Sequence, residues 1–339
     1  MTEFFSLPVL IFEQSWDATL LIIALFCTLG LIGKRLHPAW RFGIWLLIII
    51  PLFLHISIPS SWSIFNLIPS GHKLIDFVML PAVGGIISLP VLFTTVWVSG
   101  CVLMTVIFGR QVWACRQWIK HAHSVKNKHA LAIFKKCRLR MNVKLQLRVM
   151  ESPLVSGPFL IGIIRPILLL PRGMAQTASE NQLRTVFLHE LAHLKRRDVW
   201  SSWVMSVLLV VHWFNPFLWA AIRRMNADRE EACDVMALET LNPTERLAYG
   251  HALIDIAEHF LSPRKTPGLV GIAETKELMT GRIEIIQKVG TWKWHWKALA
   301  TVLAFFIALM IMTDAVAVVK TQCTKSLCIP CHSSQCFTP

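Results

Sequence analysis

The chain is poor in charge, and poorest in acid: only 16% of its 339 residues are Asp, Glu, Lys or Arg, with 20 acidic side chains against 34 basic ones. So little charge excludes an ordinary soluble domain, in which about a quarter of residues are charged. Tyrosine is nearly absent: Tyr249 stands alone beside 14 tryptophans and 19 phenylalanines. The N-terminal stretch MTEFFSLPVLIFEQSWD lacks a basic region and a small-residue cleavage site, which argues against a removed signal peptide. Residues 110–150 contain no acid at all and eleven Lys and Arg. No nucleic-acid-binding module or aromatic interleaving accompanies that basic run, so direct nucleic-acid binding is not expected.

What the chain has is apolar length. Hydrophobic residues make up 54%, and four stretches, 18–33, 42–58, 88–109 and 298–319, are each long enough to cross a bilayer core. The expectation is a mostly α-helical, polytopic membrane protein with about four transmembrane helices. Lys34, Arg35 and Arg41 after the first span and the basic run after the third put both loops in the cytoplasm by the positive-inside rule, with the N-terminus and the C-terminal tail outside. Attraction to anionic lipid absorbs much of the net charge of +14. The predicted organisation is a membrane region 1–109 with three spans, a cytoplasmic domain 110–297, a last span 298–319 and an extracytoplasmic tail 320–339. Within the domain, the uncharged stretch 199–222 has basic residues at both ends, and Asn215-Pro216 inside it reads as an N-cap followed by a first helical position. A helical hairpin over 199–240, associated with the membrane, returns the chain to its starting level; a simple crossing is the alternative.

His189-Glu190-Leu191-Ala192-His193 carries the chemistry. Residues four apart share a helix face, so His189 and His193 can offer two imidazoles to one tetrahedral zinc ion, with Glu190 beside it as general base. A peptidase site needs a third protein ligand, and the returning helix supplies DREEACD, residues 228–234. Glu230 is the expected ligand, and Asp234, four residues on, the expected partner of the distal N–H of His189. Asp198 fixes the turn after the motif or supports a ligand. Tyr249 is a candidate donor to the oxyanion of a tetrahedral intermediate, or is simply packed. Residues 146–171 read as two or three short strands punctuated by Gly157-Pro158 and Arg165-Pro166.

HELAHLKRRD, HWFNPFLWAAIRR and DREEACD together resemble the membrane metallopeptidases of the BlaR/MecR-type β-lactam sensor-transducers over roughly residues 15–320. The resemblance implies a cytoplasm-facing, gluzincin-like domain with one zinc per chain held by His189, His193 and Glu230, with base Glu190 and supporting Asp234. It also implies an endopeptidase that cleaves itself and destroys a cytoplasmic repressor, directly or indirectly, in transmembrane signalling. Relatives place a strand pair before the motif helix, whose edge, here Ser156, Gly157, Pro158 and Phe159, can hydrogen-bond an extended substrate. Those proteins continue into a large penicillin-binding sensor domain, which the roughly twenty residues after the last span are too few to hold, so β-lactam sensing is not carried over.

Cys323, Cys328, Cys331 and Cys336 cluster in the tail, where an oxidising compartment favours two disulfides; a zinc knuckle on a cytoplasmic tail is the other reading. The remaining five cysteines are expected to be free thiols. A homodimer is compatible with the sequence. The rival to an enzyme is a non-catalytic membrane scaffold or signalling adaptor that keeps zinc structurally, which would need a fourth protein ligand.

Overall fold

The computed structural model describes residues 2–53, 58–59, 89–260, 276–290, 292–311 and 313–314. The cysteine-rich tail, with Cys323, Cys328, Cys331 and Cys336, and the end of the 298–319 span lie outside them. The described chain is mostly helical. Among the described residues, two helices are long and apolar enough to cross a membrane: α1, Thr2–Ile32, with its apolar span over Leu7–Arg35, and α4, Leu89–Lys120, with its apolar span over Val91–Lys120. The expected span 42–58 is instead broken into α2, Pro38–Trp45, a single 3-10 turn at Leu46–Ile48 and α3, Ile49–Phe53. The span expected at 88–109 does not stop there. Nothing after Gly109 breaks a helix, and Arg and Gln are good helix formers, so α4 runs on to Lys120 into the basic segment.

The basic segment continues as α5, Lys128–Arg140, capped by the Asn127 side chain. A four-stranded sheet follows, formed by β1, His123–Ser124, β2, Arg148–Ser152, β3, Phe159–Ile161, and β4, Ile167–Pro171. The spatial order is β1-β2-β4-β3, with β2 and β4 parallel and β3 antiparallel to β4, Phe159 opposite Leu169. All five residues of β4 are buried, as a central strand requires. Only Phe159 of the predicted substrate edge belongs to edge strand β3. Ser156, Gly157 and Pro158 lie in the connection before it, because proline cannot donate to the ladder and glycine weakens a strand. Separately, Ile58–Pro59 pairs in parallel with Thr313–Asp314.

After a short helix, α6, Met174–Thr177, come α7, Glu180–Arg196, α8, Asp198–Val211, α9, Pro216–Leu238, and α10, Pro243–Phe260. Then α11, Lys276–Lys288, and α12, Trp294–Ile311, close the described fold. One apolar core joins the sheet to α5, α7, α10 and the end of α9; a second joins α1, α2, α12 and the α8–α9 pair.

The chain reverses between α8 and α9, where the Asn215 side chain accepts from the N–H groups of Phe217 and Leu218 and Pro216 opens the next helix. The same amide donates to the Ser15 carbonyl, the Ser15 hydroxyl and the Thr19 hydroxyl, pinning the hairpin tip to α1. On the other side, Trp97 donates to the Val211 carbonyl and Trp213 to the Trp97 carbonyl. Trp213 packs where Gly100 has no side chain: a Cβ there would lie 2.1 Å from its ring. Gly100→Leu is therefore expected to lower the melting temperature in detergent, and Trp213→Ala to relieve much of that loss, with a coupling of about 1–3 kcal/mol. Additive effects in this double-mutant cycle would show that the two do not meet.

Candidate metal centre

Helix α7 starts with a capping box, Ser179 to Gln182 and back, and its interior presents His189, Glu190 and His193 within two turns. It ends at Arg197, whose left-handed backbone (φ 59°) lets α8 begin at the very next residue. That abrupt turn brings Asp198 back under the preceding helix, with Oδ2 2.9 Å from His193 Nδ1. Helix α9 returns along α7 and contributes Glu230 and Asp234, one turn apart. Asp234 Oδ1 lies 2.9 Å from His189 Nδ1.

Both imidazoles thus donate Nδ1–H to a buried carboxylate, which leaves an electron pair on each Nε2. Those two nitrogens are 3.1 Å apart. Glu230 Oε2 stands 3.2 Å from the first and 3.5 Å from the second. Two lone pairs and a carboxylate oxygen directed at one point repel one another unless a cation lies between them. The donor set fits zinc, for which two histidines and a glutamate plus one open position is a catalytic arrangement.

The electrostatics agree. Burial pushes the His193 imidazole down, but the carboxylates of Glu230 and Asp198 outweigh it and hold it well above its ordinary value. Burial pushes Glu230 up, yet the two histidines keep it well below the usual carboxylate range. A pocket that stabilises imidazolium and carboxylate together is one that attracts positive charge. Glu190 differs: burial dominates and raises its pKa, with the histidines opposing. A carboxyl shifted in that direction is better matched to proton transfer near neutral pH.

Asp234 is fully buried and gathers more than His189. The Tyr249 hydroxyl donates to Oδ1 at 2.7 Å, and the Arg282 guanidinium donates to Oδ2 at 2.7 Å and Oδ1 at 3.0 Å. Tyr249, 2% exposed, therefore sits behind His189 with its hydroxyl committed to a carboxylate, not in the oxyanion position expected for it. Arg282 gave no sign in the sequence; only the need of a buried Asp for a cation points to it. Cys233, expected as an unremarkable free thiol, is free but lies at the site, its sulfur 3.2 Å from Asp198 Oδ2 and 3.3 Å from His193 Nδ1. His193, Asp198 and Cys233 form a second group of ligand-type atoms. Burial pushes the thiol up to about 12, so it stays protonated and serves Asp198 as a donor. The edge strand β3 runs beside α7.

Around Glu230 the helix is held from behind. Asp228 accepts from Trp45 Nε1 at 2.8 Å and lies 3.3 Å from Arg41 Nε, and Arg41 also pairs with Glu231. His212 is buried at the hairpin tip, far along α8 from His193 and Asp198.

A profile of the BlaR1 peptidase M56 family matches residues 86–286. The chain is similar to the regulatory protein BlaR1 of Bacillus licheniformis, 29% identical over 162 residues, which is 48% of this chain and 27% of that protein. It is also similar to the methicillin resistance mecR1 protein of Staphylococcus aureus strain Mu50, 25% identical over 163 residues, 47% of this chain and 27% of the relative. The matched region thus spans about a quarter of the length of these relatives.

Asp234→Ala is expected to cost about 3–5 kcal/mol in chemical unfolding, because a buried ion pair would lose one member and His189 and Tyr249 would lose a shared buried acceptor. Burial pushes Asp234 up, but Arg282 and His189 hold it below the usual carboxylate range. With the folded value depressed, its stabilisation is complete above about pH 4 and is lost as pH falls through that lower value. A loss under 1 kcal/mol at pH 7 would contradict this.

Proposed function

The chain belongs to the BlaR1 peptidase M56 family, a metallopeptidase family, and from that premise we propose that it is a membrane-embedded zinc endopeptidase, gluzincin-like, that acts in transmembrane signalling. His189, His193 and Glu230 hold one zinc and Glu190 is the general base. The observation that carries this reading is the convergence of two Nε2 lone pairs and one carboxylate oxygen within 3.5 Å, each imidazole anchored through its other nitrogen.

Zinc, when bound, would polarise the scissile carbonyl and acidify the attacking water. The chain's own groups do the rest. Asp234 and Asp198 keep the two histidines in the tautomer and orientation that direct Nε2 inward. Glu190 takes a proton from water and passes it to the leaving amine. Edge strand β3, with Phe159 at its start, can pair with an extended substrate beside α7. The substrate is a cytoplasmic protein, such as a transcriptional repressor, or the chain itself.

The site faces the cytoplasm in a multi-pass protein of the bacterial inner membrane, with spans at 18–33, 88–109 and 298–319 and a protease domain at 110–297. The hairpin supports this orientation. Fourteen residues of α8 descend about 21 Å and a similar length of α9 climbs back to Glu230. Its tip meets Trp97 and Gly100 of the 88–109 stretch and Ser15 and Thr19 at the start of the 18–33 stretch, so it lies among the spans and returns to the basic side.

Glu190→Gln should keep zinc and fold while cutting cleavage of casein, or of the chain itself, by roughly 10²–10⁴. His193→Ala should lose the metal. Normal turnover by Glu190→Gln would sink the mechanism.

A further inference from the structure

Glu230 turns only one of its two oxygens towards the imidazoles. Oε2 lies 3.2 Å from His189 Nε2 and 3.5 Å from His193 Nε2, whereas Oε1 lies 3.4 Å from Arg229 Nη2. Arg229 is held in turn from the facing helix: its other terminal nitrogen, Nη1, donates to the Ser202 hydroxyl of α8 at 2.8 Å. The Ser202 hydroxyl donates to the Asp198 carbonyl at 3.0 Å, one turn back, and Asp198 is the residue whose carboxylate holds His193. One guanidinium thus ties Glu230 on α9 to the turn of α8 that orients the second histidine.

The last torsion of a glutamate side chain is broad and roughly two-fold, so rotamer preference does not decide which oxygen faces inward. A neighbouring group has to decide it. A guanidinium reaches two partners at once through a rigid planar fork, which the point charge of a lysine cannot. Arg229 is 12% exposed along its side chain, while Arg223 and Arg224 of the same helix are exposed to solvent. A cation so close to a metal site repels the metal, and a place there calls for a compensating role.

We infer that Arg229 is a positioning residue: it holds Glu230 Oε1 aside so that Oε2 stays directed at the imidazole nitrogens, and Ser202 is the anchor that keeps the guanidinium in that pose. The inference rests on the zinc reading above and adds to it two residues that reading does not use.

The test is zinc affinity of the metal-stripped full chain in detergent, measured by competition with a chromophoric chelator. Wild type, Arg229→Lys, Ser202→Ala and the double variant are compared, and each melts in EDTA as a control. Both single variants keep the positive charge, so a change in affinity reports the orientation of Glu230. Arg229→Lys should bind zinc at least tenfold more weakly than wild type, the scale on which partners of metal ligands act. Ser202→Ala should weaken zinc by a smaller factor, and the double variant should be no weaker than Arg229→Lys, since Ser202 acts only through the guanidinium. Wild-type affinity in Arg229→Lys would overturn the inference, as would full additivity of the two substitutions or a lower metal-free melting temperature with unchanged affinity. If Arg229→Lys does not fold, Ser202→Ala decides alone: weaker zinc at an unchanged metal-free melting temperature supports the inference, and unchanged affinity overturns it. Failure of wild type to bind zinc would instead remove the zinc reading, and this inference with it.

Discussion

Asp234 ties the site together from behind. Fully buried on α9, it accepts from His189 on α7, Tyr249 on α10 and Arg282 on α11, so one carboxylate draws four helices to a point. A charge so buried is tolerable only with a counter-charge and a full set of donors, and Arg282 with the two hydrogen-bonding rings supplies both. By fixing Nδ1 of His189 it fixes the direction of Nε2. Asp198 does the same for His193, helped by the Cys233 thiol. Neither carboxylate contributes a ligand atom to the group His189, His193 and Glu230, yet together they aim its two nitrogens.

Glu230 is held by different means. The hairpin that carries it is anchored at its tip through Asn215 to α1 and through Trp213 to α4. Near its return, Asp228 and Glu231, which bracket Glu230 in sequence, are gripped by Arg41 and Trp45 of α2. The third ligand-type group is therefore positioned by the helices that precede the basic segment, whereas the histidines are positioned by those that follow it. Displacement of α1 or α2 would move Glu230 relative to His189 and His193.

What could be read in the sequence was local. The four-residue spacings of His189 with His193 and of Glu230 with Asp234 are helical periodicity, and Asn215-Pro216 states a helix start in two residues. A mostly helical chain with a small sheet followed from the apolar blocks and the Val, Ile and Leu run. The unread features are long-range or depend on where an element stops. Arg282 lies 48 positions from Asp234, and nothing in GRIEIIQK announces a buried guanidinium. Tyr249 could be seen as a lone phenol but not as the partner of Asp234. The 3-10 turn at Leu46–Ile48 breaks a stretch whose hydropathy alone suggested one span. The apolar-to-basic change at Gly109 marks where the chain changes character, not where α4 ends.

The proposed zinc site of His189, His193 and Glu230 leaves one coordination position open. Elemental analysis combined with X-ray absorption on detergent-purified wild type and Glu230→Ala decides whether it exists. The expected result is one zinc per chain bound by two imidazoles, one carboxylate and one further light atom, and lost or loosened in the variant. No zinc in the wild type, or a closed site with sulfur ligands, would contradict it and favour a non-catalytic scaffold.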